Sequence, residues 1–182
     1  MKSIHIVGFA GSLRKKSYNR SLLRGAQDLL PDGATLEIIS IDEIPLFNQD
    51  VEDLGDPEPV KVFKEKIRQA DALLIATPEY NYSVSGVLKN AFDWASRPPG
   101  QSVLTGKPTA IMGASPGQFG TVRAQLHLRQ SLLDVNAQTV NKPEVLINHA
   151  AQKFDADGNL IDEKARQLIR ALLDALVQTA RR

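Results

Sequence analysis

The feature that most limits how this chain can fold is its regular alternation of short apolar runs with amphipathic stretches. Ile4-His5-Ile6-Val7-Gly8 is a compact apolar run ending in glycine and reads as a buried strand. Asn19 to Leu30 carries Leu22, Leu23, Ala26 and Leu30 at helical spacing, and Pro31-Asp32-Gly33 stops it. Leu36 to Ile39 reads as a second strand, and Val60, Phe63 and Ile67 mark a second helix. Ala72-Leu73-Leu74-Ile75-Ala76 is a third strand, apolar on both faces. Leu88, Ala91, Phe92 and Ala95 mark a third helix, Thr109 to Met112 a fourth strand, Val122 to Leu133 a fourth helix and Glu144 to Ile147 a fifth strand. The last helix is the clearest, a continuous stripe from Ala165 through Leu168, Ile169, Leu172, Leu173, Leu176 and Val177 to Ala180. This order predicts an α/β three-layer sandwich: a five-stranded, mostly parallel sheet with helices on both faces. The polar stretch Asn48 to Glu58 reads as a surface loop, so residues 1–182 are expected to form one domain.

In such a sheet, ligands sit outside the carboxyl ends of the strands, where strand order reverses. The loop after the first strand, Gly11-Ser12-Leu13-Arg14-Lys15-Lys16-Ser17-Tyr18-Asn19, offers hydroxyls, an amide, cations and the free N–H groups of a helix start. A phosphate wants those partners, and Arg14 can give it a charge-assisted fork. Gly8 and Gly11 are expected to let the chain turn tightly there. Serine, asparagine and glycine also gather at ordinary helix caps, so a plain cap with a solvated basic face fits the same residues. Neither G-x-x-x-x-G-K-[ST] nor G-x-G-x-x-G occurs, which removes the two common nucleotide loops.

Two further loops stand out. Thr77-Pro78-Glu79-Tyr80-Asn81-Tyr82-Ser83 follows the doubly apolar strand and could wall a flat ring, or serve as a tyrosine-rich surface contact. Gly113-Ala114-Ser115-Pro116-Gly117 matches the nucleophile elbow of serine hydrolases. The elbow needs a backbone N–H on the residue after serine, and Pro116 has none. A glycine-lined floor from Ser115 to Gly120 is the better reading.

Composition narrows the partners. The 182 residues contain no cysteine, which excludes disulfides, thiolate catalysis and cysteine-ligated metal, and fits a reducing cytoplasm. A net charge of +1 argues against nucleic acid or an acidic membrane. No apolar run reaches the about 20 residues of a membrane helix, and Met1 to Val7 shows no secretory leader. His5, His127 and His149 lack metal-ligand spacing. Asp155, Asp157 and Asn159 read as a turn at Asp157-Gly158, not a calcium loop, because the glycine is at the fourth position and Arg166 stands at the twelfth.

Taken together, Gly11 to Asn19, Pro78 through Trp94 and Gly106 through Gly120 resemble the NADPH-dependent FMN reductase family, and in particular its flavodoxin-like quinone, azo and chromate reductases. Phe154 to Leu160, followed by a long helix, also resembles the family. The resemblance covers nearly the whole chain and implies a flavodoxin-like fold. It implies that Ser12, Arg14, Ser17 and Asn19 hold the FMN phosphate, with Leu13 and Tyr18 contributing through backbone or ring. Pro78, Glu79, Tyr80 and Asn81 would line the isoalloxazine, and backbone at Ala114, Ser115 and Gly117 would face the same ring. NADPH or NADH would deliver a hydride to FMN, and a small-molecule acceptor would then take its place, with no acid or base from the protein. The resemblance further implies a homodimer or homotetramer, with the third helix (Phe92, Trp94) and the helix from Val122 at the interface; Trp94 reads equally as core. A non-enzymatic electron carrier of the same fold is the alternative, though such carriers are strongly acidic. Lys15, Lys16, Arg20 and Arg24 suit either NADPH steering or a solvated helix face. Two departures stand out: Ser85 where relatives usually have proline, expected to loosen the entry to the third helix, and Phe119, expected to reshape the substrate side.

Overall fold

A computed structural model describes residues 3–182; Met1 and Lys2, the first residues of the segment read for a leader, lie outside the described residues. In chain order the elements are β1 (Ile4–Ala10), α1 (Tyr18–Gln27), β2 (Ala34–Ile38), α2 (Gln49–Glu52), α3 (Glu58–Gln69), β3 (Ala72–Ala76), α4 (Gly86–Ala95), β4 (Pro108–Ala114), α5 (Val122–Asp134), β5 (Gln138–Thr139), β6 (Val145–Ile147) and α6 (Glu163–Ala180). Every residue of β3 is fully buried, because the strand is central and has helices over both faces. Leu74 joins Ile6, Leu22, Met112, Leu172 and Leu173 in the layer under α1 and α6. Leu73 and Ile75 join Val7, Phe9, Phe63, Leu88 and Leu128 in the layer under α3, α4 and α5.

The sheet is wholly parallel, in the order β2-β1-β3-β4. Its fifth position is shared: β5 pairs with the start of β4 and β6 with its end. The sequence reading found β6 and missed β5, which at two residues is too short to carry a periodic signal. Strand order reverses between β1 and β3, so the loops after these strands part and leave a crevice.

Four expectations change. Gly8 is not at a turn; β1 runs on through Phe9 to Ala10, paired with Ile75 and Ala76. A Cβ at Gly8 would lie 2.9 Å from Leu36 Cδ1 and 3.1 Å from Leu23 Cδ2, so this glycine admits the packing of α1 and β2. The polar stretch from Asn48 contains the single-turn helix α2, capped by the Asn48 side chain. Phe92 and Trp94 are buried within the chain, and Trp94 Nε1 donates to the Pro45 carbonyl at 2.8 Å, so of its two readings Trp94 takes the core one. Ser85 does not loosen α4: its hydroxyl caps the helix by accepting from Leu88 N–H and donates to the Gly11 carbonyl at 2.6 Å.

Gly113, near the end of β4, sits where the backbone after β3 meets α5. A Cβ there would lie 2.6 Å from the Thr77 carbonyl oxygen and would overlap the Thr121 side chain. Gly113→Ala should therefore lower stability by about 1–3 kcal/mol, read as a lower urea midpoint with an unchanged m-value.

Candidate functional site

The loop from Ser12 to Ser17 keeps few of its polar groups for itself. Ser17 N–H donates to the Arg14 carbonyl, and the Ser17 hydroxyl caps α1 by accepting from Arg20 N–H. Among the described residues, the backbone N–H groups of Ser12, Leu13, Arg14, Lys15 and Lys16 have no protein acceptor. Tyr18 and Asn19 add the unpaired N–H groups of the first turn of α1. The Ser12 side chain is buried with its hydroxyl free of protein partners, and the Arg14 guanidinium is exposed and unpaired. No carboxylate occurs before Asp28 in the chain. Ser17 caps the helix, and the residues before it keep their N–H groups free of protein acceptors.

This loop forms one wall of a crevice of about 350 Å³ at the point where strand order reverses. Gly11 to Arg14 stand on one side, and Tyr80 with Ser85 to Val87 on the other. Gly11 fits because it has no side chain: a Cβ would lie 3.0 Å from both Leu88 Cβ and Ser85 Oγ. Of the residues read from sequence, Ser12, Leu13, Arg14 and Tyr80 line this crevice directly.

The others surround it in different roles. Asn19 is buried and its carboxamide bonds both ways to one residue: Nδ2 donates to the Ala114 carbonyl at 3.0 Å, and Oδ1 accepts from Ala114 N–H at 2.9 Å. Tyr18 packs its ring against Phe154, with centroids 5.3 Å apart. Pro78 is buried, and Asn81 is exposed with φ of 48°. Asn81 and Tyr82, both left-handed, form the tip of a tight turn closed by paired Tyr80–Ser83 backbone hydrogen bonds. Ser115 N–H donates to the Ile147 carbonyl and Gly117 N–H to the Ser115 hydroxyl. Ala114, Ser115 and Gly117 thus have their N–H groups already engaged, and none of them lines the crevice. The free donors of this loop come a little later, at Gln118, Phe119 and Gly120.

Glu79 turns away from the crevice mouth toward α5. That helix begins at Thr121, which has φ of 71° and makes no side-chain cap. The Glu79 carboxylate supplies the cap instead, accepting from Arg123 N–H at 2.9 Å and Ala124 N–H at 3.3 Å. Its other oxygen binds the Arg123 guanidinium at 2.6 Å. Arg123 lies between two aromatic rings, its guanidinium carbon 3.8 Å from the Tyr82 centroid and 4.4 Å from that of Phe119. Arg123 escaped the sequence reading, yet a signal existed. A cation in the first turn of a helix opposes the dipole and calls for a carboxylate from elsewhere. Phe119 is thus half of a clamp on Arg123. The Asp155 carboxylate is held below the usual range by the Asn159 amide and the backbone N–H groups of its own turn.

The NADPH-dependent FMN reductase family model matches residues 4–152. The NAD(P)H-dependent FMN reductase of Pseudomonas aeruginosa is 56% identical over 179 residues, covering 98% of this chain and 96% of that protein. The 2-hydroxy-1,4-benzoquinone reductase of a Burkholderia species is 44% identical, covering 94% and 93%. Among solved structures, the flavoenzyme NAD(P)H:(acceptor) oxidoreductase FerB of Paracoccus denitrificans superposes with a TM-score of 0.89 at 38% identity, covering 98% of this chain and 97% of that one. With a parallel flavodoxin-like sheet and a family match over residues 4–152, this chain belongs to the NADPH-dependent FMN reductase family.

Proposed function

We propose that this protein is an NAD(P)H-dependent FMN oxidoreductase that reduces quinones, acting as one domain in the reducing cytoplasm. The observation that carries the reading is the unbroken set of unpaired N–H groups from Ser12 to Lys16, beside the crevice at the strand-order reversal. Those donors, with the Ser12 hydroxyl and the Arg14 guanidinium, suit a phosphomonoester and nothing cationic. Ser17 and the N–H groups of Tyr18 and Asn19 would complete the phosphate shell, and the Asn19 carboxamide would hold the shell in place. Leu13 and Tyr80 would flank the ribityl chain and ring across the crevice. Pro78, Glu79 and Asn81 would support the ring wall through backbone, while Ala114, Ser115 and Gly117 would form its floor. When bound, FMN supplies the redox chemistry, accepting a hydride from the nicotinamide and then passing the electrons to an acceptor that enters after the nicotinamide has left. The protein orients both partners and offers fixed donors. The quinone reductases among its relatives support a quinone as acceptor. Azo dyes, chromate and free flavin suit the same open face, and a steady-state panel on the FMN-loaded protein ranks them.

Leu126 and Leu133, seven residues apart on α5, are exposed, as is Phe119 just before it. This face supports a homodimer or homotetramer through α5. Leu126→Glu with Leu133→Glu should then sediment as a smaller species than the parent protein. Arg14→Ala should weaken FMN by about tenfold or more, as expected for one charged hydrogen bond, and leave riboflavin nearly unchanged; equal losses in two fluorescence titrations would contradict the phosphate assignment. Glu79→Ala should strip α5 of its cap and isolate Arg123, costing about 2–3 kcal/mol, or a fall of roughly 5–10 °C in Tm by calorimetry.

A further inference from the structure

The far side of the phosphate loop carries a second cavity, of about 570 Å³, between α1 and the chain that leaves β2. It shares only Ser12 and Leu13 with the crevice described above. Its back wall is apolar, built by Leu23, Ile38 and Ile41. Its rim is cationic, with Lys15 on the loop and Arg20 and Arg24 one turn apart on α1.

The state of these cations sets the cavity apart. Elsewhere on the chain, lysines and arginines are commonly tied to carboxylates, as Lys64 is to Asp56, Arg97 to Glu52 and Lys66 to Glu37. Among the described residues, Lys15, Arg20 and Arg24 make no ion pair. The one hydrogen bond from Arg24 goes to the neutral Ser21 hydroxyl at 2.8 Å. Asp42, beyond β2, does not line the cavity; its carboxylate accepts from the Ser40 hydroxyl, which, with a smaller contribution from the Arg20 charge, holds it below the usual carboxylate range. Three cations free of ion pairs, of which only Arg20 feels a nearby carboxylate, at the mouth of a cavity with an apolar wall favour a flat ring that bears a phosphate dianion.

We propose that this cavity binds the adenosine 2′-phosphate end of NADPH, with the purine against Leu23, Ile38 and Ile41 and the 2′-phosphate among Arg20, Arg24 and Lys15. The proposal rests on the FMN oxidoreductase reading. The wall shared through Ser12 and Leu13 lets one dinucleotide reach from this cavity to the flavin crevice. An NADH molecule lacks the 2′-phosphate and would forgo the cationic rim.

The test uses the FMN-loaded protein carrying Arg20→Ala and Arg24→Ala together. Expected are a rise of tenfold or more in KM for NADPH, an unchanged kcat, a change of less than twofold in KM for NADH, and unaltered FMN affinity. Adenosine 2′,5′-bisphosphate should compete with NADPH in the parent protein and bind far more weakly to the variant, whereas ADP should bind neither well. Equal effects on both nicotinamides, or unchanged binding of the bisphosphate, overturns the proposal while leaving the reductase reading intact. Competition of the bisphosphate with FMN would place it on the phosphate loop and also overturn it. Failure of either nicotinamide to reduce the parent protein would instead remove the reading beneath. Arg20→Lys with Arg24→Lys, which keeps the charge, guards against a folding defect: it should recover much of the NADPH affinity.

Discussion

A single buried carboxamide ties the two halves of the site together. Asn19 lies in the first turn of α1, which follows β1, Ala114 ends β4, and the strands β1 and β4 are separated by β3. The paired bonds from Asn19 to both backbone groups of Ala114 therefore reach across the top of the central strand. A buried amide that lost either bond would leave an orphaned backbone group, so the arrangement is strongly favoured as a pair. Around it, Ser85 fastens Gly11 to the start of α4, and Thr77 N–H fastens the third loop to Met112. These ties consume inward-facing polar groups and leave the donors from Ser12 to Lys16 facing out. The loop is thus held in a ligand-ready shape by the protein's own bonds, which lowers the ordering cost of binding.

Charge is distributed by the same logic. A net charge of +1 describes the whole molecule but hides a chain that carries no acid before Asp28 and five cations from Arg14 to Arg24. On the other side of the crevice, Arg123 has its charge offset by Glu79 and its faces covered by Tyr82 and Phe119. Positive potential is therefore concentrated on one loop and the helix behind it, and suppressed at the opposite rim. An anionic ligand is drawn to a defined end of the site instead of to the whole surface.

Much of this architecture could be read from residues alone, because the parallel sheet writes itself as near-continuous apolar runs. The run Ala72 to Ala76 could have no other place than the centre. The unusual make-up of the first loop was equally visible, since hydroxyls, cations and no acids crowd one strand-to-helix turn. What escaped depends on contacts distant in sequence. Gly8 looks like a turn residue until Leu36 and Leu23 are seen pressing on it from two elements. Trp94 reads equally as interface or core until Pro45 supplies a partner for its indole. Asn19 and Glu79 also carry structural contacts that no local pattern shows: one binds a backbone 95 positions away and the other caps a helix 44 positions on. Local composition reports what a side chain can do, and only packing decides on what it is spent.

The reversal of strand order has a consequence that reaches past the flavin. Because β2 lies on one side of β1 and β3 on the other, the loop leaving β1 has two rims exposed to different surroundings. One faces the crevice toward β3, lined by Tyr80 and the start of α4. The other faces the cavity over the end of β2, lined by α1 and Ile38 to Ile41. A doubly wound sheet folded in the opposite order would bury one rim under the next crossover. Here Ser12 and Leu13 border both hollows, so a ligand held on one rim would have a neighbouring site on the other.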